Sequence, residues 1–253
     1  MLDNSGEKKM QHKKELQSIM QAGYHFRAPG AFIAGGALTS AFTGQPIHDV
    51  DYYFKNKEAF REAVEIAYDD GMWCVHYSDR AVTFANRECI VQLMHFDFFE
   101  TAAHVFDAFD FTCNMAAFDL DANEFVFHDD FLKHASQRYL SFHAGTRYPF
   151  GTITRVLKYQ ARGYTIGKGD MLRIALACHK VLLASWDDVS KAIGGQYGEP
   201  ANLGAAGDFS VDAAIEAIAN IDIDNSIKAS AKPDIPGNAD ALLALLGMGE
   251  TNA

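Results

Sequence analysis

Apolar residues occur in short runs up to about residue 130 and at helical spacing beyond it. The spacing predicts a helix over 10–24, with Leu16, Met20 and Tyr24 on one face, broken by Pro29 and Gly30. A strand follows at 31–34. A short helix at 36–43 is ended by Gly44 and Pro46, and a second strand runs over 48–54. Asn56 is placed to cap a helix through 70, with Phe60, Val64 and Tyr68 on one face and Gly71 as its stop. Strands are then expected at 72–77, 80–85 and 89–98, with a turn at 86–88 and a short helix at 101–106. Residues 109–118 alternate as one strand. Asp110, Thr112 and Asn114 fall on one face, and Phe111, Cys113 and Met115 on the other. A last strand is read at 126–130.

Beyond 131 the pattern is helical. A helix over 151–162 would put Ile153, Leu157 and Ala161 on one face, with Arg155, Lys158 and Arg162 around the rest. Asp170 reads as the cap of a helix over 171–185, and Ser210 as the cap of one ending near 220. Residues 192–208, rich in Gly, Ala and Asn, read as a loop. Residues 225–238, with Pro233 and Pro236, read as a linker before a short helix at 239–246. The expected class is α+β: a mixed sheet flanked by helices in a domain over 1–140, then a helical domain over 141–253 with a flexible portion containing Gly, Ala and Pro.

Composition narrows the function. Of 253 residues 49% are apolar, enough for a sizeable core, and no run approaches a membrane span. The polar, Lys-rich start has no apolar segment of a secretory signal. Cys74, Cys89, Cys113 and Cys178 form no CxxC pair and read as reduced thiols of a cytoplasmic protein. A net charge of −11 argues against a basic surface built for DNA as a whole. It leaves room for local basic clusters, at Lys8, Lys9, Lys13 and Lys14 and again between Lys133 and Arg173.

Candidate chemistry concentrates in one stretch. The apolar strand ends in Gly35-Gly36, a helix-length spacer follows, and the next strand opens with Asp49-Val50-Asp51. Carboxylates at i and i+2 of a strand share a face. A glycine turn lets a phosphate approach the backbone, and hard carboxylate oxygens suit Mg²⁺ or Mn²⁺. His48 adjoins the pair, but a lone histidine beside a strand is usually structural. The other histidines lack metal-ligand spacing.

This arrangement resembles the DNA polymerase β-type nucleotidyltransferase superfamily, in its poly(A) polymerase and CCA-adding branch, with a likeness to small phage-encoded members. Phe109-Asp110-Phe111-Thr112-Cys113-Asn114-Met115-Ala116-Ala117-Phe118-Asp119 is similar to that branch's Asp-Phe-Thr-x-Asn motif, and residues 148–166 to its basic helix. The resemblance covers about 31–166. It implies a nucleotidyltransferase-type sheet, with Asp49 and Asp51 as metal ligands and, with Asp110, as catalytic carboxylates. Gly35, Gly36, Thr112, Asn114, Arg155, Lys158 and Arg162 would bind the nucleotide, with Arg147 in the same basic cluster.

Three departures stand out. The superfamily's third carboxylate would fall at Gln92, so Asp110, ahead of Asp97, is the expected substitute. The branch's Arg-Arg pair is Ala108-Phe109 here, and its base-selecting Glu-Asp-x-x-Arg has no counterpart near 147–151. The resulting expectation is a Mg²⁺-dependent enzyme moving NMP from an NTP to an acceptor hydroxyl of an RNA end such as tRNA, a protein or a small molecule. The alternative is a catalytically degenerate nucleotide-binding or partner-binding module of the same fold. Either would work in the cytoplasm, the host's if phage-encoded, without membrane contact.

Overall fold

The computed structural model describes residues 12–22, 26–146, 148–194, 208–220 and 235–249. The expected positions of Tyr24 and Arg147, most of the 192–208 loop and most of the 225–238 linker lie outside these residues.

Helix α1 (Lys13–Ala22) leads to β1 (Ala31–Ala34), α2 (Gly36–Thr43), β2 (Val50–Phe54) and α3 (Lys57–Asp69). Strands β3 (Trp73–Tyr77), β4 (Ala81–Ala85) and β5 (Ile90–Met94) follow. After a 3₁₀ segment at Ala102–Ala108 come β6 (Ala116–Asp119) and β7 (Glu124–Phe127). All seven form one sheet in the order β3-β4-β5-β2-β1-β6-β7. Every neighbouring pair is antiparallel except β2 with β5, whose register sets Asp51 beside Gln92.

Alternation along central strands feeds two cores. Ile33, Tyr52 and Phe54 join a cluster with Ile19, Leu38, Phe60 and Val64 on the face covered by α1, α2 and α3. Phe32, Ala34, Tyr53 and Met94 pack on the other face against Val105 and Phe106 of the 3₁₀ segment. Because β1 is buried on both faces, it reads as an unbroken apolar run. The side chain of Asn56 accepts from the Ala59 N–H, a cap worth about 1 kcal/mol to α3. The Tyr68 hydroxyl donates to the Pro236 carbonyl at 2.6 Å, beside the docked last helix α9 (Ala239–Leu245).

The helical part comprises α4 (Phe131–Gln137), α5 (Pro149–Ala161), α6 (Lys168–His179), α7 (Trp186–Ile193) and α8 (Val211–Asn220), with a two-stranded parallel pair of β8 (Tyr139–Leu140) and β9 (Thr165–Ile166). Gly151 lets α5 close on α7: a Cβ there would sit 2.0 Å from the Ile193 carbonyl oxygen.

Several expectations change. Residues 109–118 are not one strand. Phe111 bridges to Phe142, Thr112–Asn114 form a 3₁₀ turn, and the strand begins at Ala116. The turn sends Asp110, Thr112 and Asn114 to three different partners instead of one face. On α5 the buried positions are Pro149, Gly151, Thr152 and Val156, whereas Ile153 and Leu157 are exposed. The helix expected at 171–185 ends at His179. Ser185 instead caps α7, its hydroxyl oxygen accepting from the Asp188 N–H, and Asp188 bonds back to that hydroxyl. Asp170 sits inside the first turn of α6 and accepts from the Tyr139 hydroxyl, the Phe142 N–H and Arg173.

Candidate nucleotide and metal site

The turn from β1 into α2 is made by Gly35 at φ 81°. A side chain there would be strained by that angle, and its Cβ would lie 3.3 Å from the Phe109 ring. The turn brings the start of α2 close to β2, with Asp51 Oδ2 only 3.8 Å from the place of that missing Cβ. Gly36 and Ala37 then present the positive end of α2 to a cavity of about 460 Å³.

Asp49 also lines this cavity, with Arg138, Lys158 and Arg162 contributing from the helical part. A site with phosphate-binding chemistry therefore spans both halves of the chain: cations on one side, a helix N-terminus and a carboxylate on the other. Tyr159, Tyr164, Ser40, Thr43 and His48 complete much of the wall. Burial pushes the Tyr159 and Tyr164 phenols further above their ordinary range.

Strand β2 begins at Val50, not at 48 as expected, so Asp49 just precedes it and Asp51 lies within it. Its Oδ1 is buried without a partner. Burial, and then the neighbouring Asp49 charge, hold its carboxyl well above the usual carboxylate range. Gln92 Nε2 donates to Asp49 Oδ2 at 2.9 Å, and Gln92 Oε1 is itself buried without a partner. Among the described residues no group of three His, Cys, Asp or Glu side chains could hold a metal ion. The donors present are two carboxylates, one with an orphaned oxygen. They fit Mg²⁺, which is commonly held by one or two carboxylates together with substrate phosphates and water.

The remaining expected residues divide. Lys158 and Arg162 reach the cavity. Arg155 does not line it: its guanidinium pairs with Asp110, which also accepts from the Thr146 hydroxyl. Thr112 Oγ1 bonds to His134 Nδ1 at 2.6 Å in a buried pair. Asn114 ties two helices together. Its Oδ1 accepts from Thr39 of α2, and its Nδ2 donates to the Tyr159 hydroxyl of α5 at 2.6 Å. It thereby sets the cationic helix against the glycine turn. Asp97, beyond the end of β5, accepts from the Phe98 N–H.

Arg138 was missed because nothing periodic marks it. It ends α4 at φ 50°, its carbonyl accepts from the Thr165 N–H of β9, and it lines the cavity. Tyr164 was likewise visible only as part of a basic-helix segment.

The fold is shared with solved proteins. One is a tRNA nucleotidyltransferase complexed with a primer tRNA and an incoming ATP analog. It matches 81% of this chain and 60% of its own at 15% identity, with a TM-score of 0.51. Another is a tRNA-processing enzyme with CTP, matching 78% of this chain and 54% of its own at 16% identity, with a TM-score of 0.50. At such identities the likeness is one of fold: a nucleotidyltransferase-like mixed sheet followed by helices. In sequence, the Gabija anti-defense 2 protein of Bacillus phage SPbetaL7 is 38% identical over 168 residues, 66% of this chain but 42% of that protein. The chain thus matches less than half the length of this relative. The model of the Gabija anti-defense 2 family matches residues 7–138, which is more than half of the chain and includes the glycine turn, both strand carboxylates and the Asp110–Asn114 segment. That match makes this chain, with its nucleotidyltransferase-like fold, a member of the Gabija anti-defense 2 family.

Proposed function

We propose that the chain binds an NTP with Mg²⁺ at the Asp49–Asp51 pair and transfers NMP to an acceptor hydroxyl, as a phage product acting in the host cytoplasm against the defence for which its family is named. The observation that carries this reading is the buried, partnerless Asp51 Oδ1 two residues from Asp49, which lines a cavity together with Arg138, Lys158 and Arg162. A buried carboxylate is costly unless a proton or a cation joins it, and the nearby cations suit a polyphosphate.

Asp49 and Asp51 would hold the ion. When bound, it supplies charge neutralisation and Lewis acidity at phosphoryl oxygens. Arg138, Lys158 and Arg162 would receive the triphosphate oxygens, helped by the N-terminal amides of α2. Asn114 and Tyr159 hold α5 and its cations at a fixed distance from the glycine turn. In the reaction an acceptor oxygen bonds to the α-phosphorus, the bond to the β-phosphate oxygen breaks, and pyrophosphate leaves while the hydroxyl proton passes to solvent. RNA, tRNA included, is one candidate acceptor, motivated by the relatives of known fold that act on tRNA.

The test is to incubate the protein, Mg²⁺, labelled NTPs and cell RNA, and to repeat it with Asp49→Ala/Asp51→Ala. Label transfer lost in the double variant is the expected result. Equal labelling by both proteins refutes the reading.

A second reading has its own observation. Gln92 is neutral beside Asp51, and Asp110 is tied to Arg155, so among the described residues no third carboxylate at these strand positions stands ready to accept the attacking hydroxyl's proton. Mg²⁺-dependent NTP binding without pyrophosphate release from any acceptor would favour a nucleotide-holding module over a transferase.

A further inference from the structure

Gln92 is only 6% exposed, yet its two amide atoms meet different fates. Nε2 donates to Asp49 Oδ2. An ionised carboxylate can only accept, so this bond fixes which end of the amide is which and leaves Oε1 as the end turned away from Asp49. That oxygen is buried and has no partner, and so is Oδ1 of Asp51. The two residues are register partners on β2 and β5, so their side chains leave the sheet on the same face. Two buried oxygens on adjacent strands, neither with a hydrogen-bond partner among the described residues, each cost about 1–3 kcal/mol if left so.

We infer that Gln92 is a cation ligand: its neutral Oε1 and Asp51 Oδ1 bind one divalent ion, while its Nε2 holds Asp49 in place beside them. The inference rests on the proposed metal site and sharpens it. Amide carbonyl oxygens are ordinary ligands for hard cations. With Gln in place of an acid the pocket carries two negative charges from Asp49 and Asp51, which a single divalent ion neutralises. A second ion would meet net repulsion. The site therefore selects one-ion binding, suited to retaining a nucleotide, over the paired-ion arrangement in which both attacking and leaving oxygens are stabilised.

The experiment titrates the full chain with Mn²⁺ in the absence of nucleotide, reading the free-ion signal by electron paramagnetic resonance. Wild type should take up about one Mn²⁺ per chain. Gln92→Met keeps length and packing but removes both the oxygen and the Nε2 donor to Asp49, and should weaken Mn²⁺ by about tenfold, the loss typical of disturbed metal-site partners. Gln92→Glu adds a charge at the same place. It should tighten Mn²⁺ by about tenfold and enlarge the rise in melting temperature on adding Mn²⁺. If Gln92→Met and Gln92→Glu both bind Mn²⁺ as wild type does, as a bridging water in place of the ion would allow, the assignment of Gln92 is overturned and the carboxylate site survives. Absence of uptake by wild type overturns both. Should Gln92→Met fail to fold, the Gln92→Glu comparison decides alone.

Discussion

Asp51 and Asp110 both withdraw carboxylate oxygens from water, and the protein treats them in opposite ways. Asp110 receives an Arg155 guanidinium and the Thr146 hydroxyl, and its own carbonyl accepts the His143 N–H at 2.7 Å. Asp51 faces another acid, and its Oδ1 has no partner. A carboxylate that is fully met joins the 109–146 segment to α5. One left unmet, two residues from the cavity-lining Asp49, keeps an oxygen that no described residue satisfies. The contrast separates a structural acid from a candidate ligand, although the resemblance in sequence gave both the same catalytic role.

The sharpest way to break this comparison is Asp110→Ala. It strands Arg155 and removes a partner of Thr146, so unfolding free energy should fall by about 3 kcal/mol in chemical denaturation. Mn²⁺ affinity, in protein that remains folded, should hardly change. A large loss of Mn²⁺ binding would make Asp110 a third ligand after all.

A smaller effect is expected on the cationic wall. Lys158→Ala and Arg162→Ala should each weaken Mg²⁺-dependent NTP binding by about tenfold, near 1.4 kcal/mol, with a shallower salt dependence in calorimetric titration. Arg162 is exposed, so its removal should leave stability within about 0.5 kcal/mol. Unchanged affinity in both would place the triphosphate elsewhere.

The smallest effect tests Asp51 itself in metal-free protein. Its folded carboxyl titrates well above the ordinary value of 3.8, so over the window between that value and its raised one the folded state holds a proton that the unfolded chain has lost. Stability should fall as pH rises through the window. Asp51→Asn should flatten that slope, and at neutral pH it should stabilise the metal-free protein by about 1 kcal/mol. A slope unchanged in Asp51→Asn would mean that another group causes it.

Much of the sheet was legible because its strands obey local rules. β1 is an apolar run ended by glycines, α3 begins at a capping Asn56 and ends before Gly71, and β3 and β4 alternate between turn residues. The reading failed where tertiary partners override periodicity. Thr112 and Asn114 fit a two-residue alternation, but their side chains are drawn to His134, Thr39 and Tyr159 through a 3₁₀ turn that no spacing announces. On α5, Ile153 and Leu157 look like a buried stripe. Gly151 and Thr152, which permit close approach to α7, decide which face turns inward. The start of α7 did have a local signal in the reciprocal Ser185 and Asp188 cap, and it was overlooked.

By itself the sequence determined most elements of the sheet, the glycine turn at Gly35, and the spacing of Asp49 and Asp51 at the start of β2. These follow from backbone sterics and the two-residue repeat of side chains, which are local. Tertiary structure alone decided that Gln92 would stand beside Asp51, that Arg155 would be consumed by Asp110, and that Arg138 would join Lys158 and Arg162 across the cavity. Those outcomes depend on which strands pair and which helix faces turn inward. Pairing and packing are set by the burial of the whole core, not by the residues of any one segment.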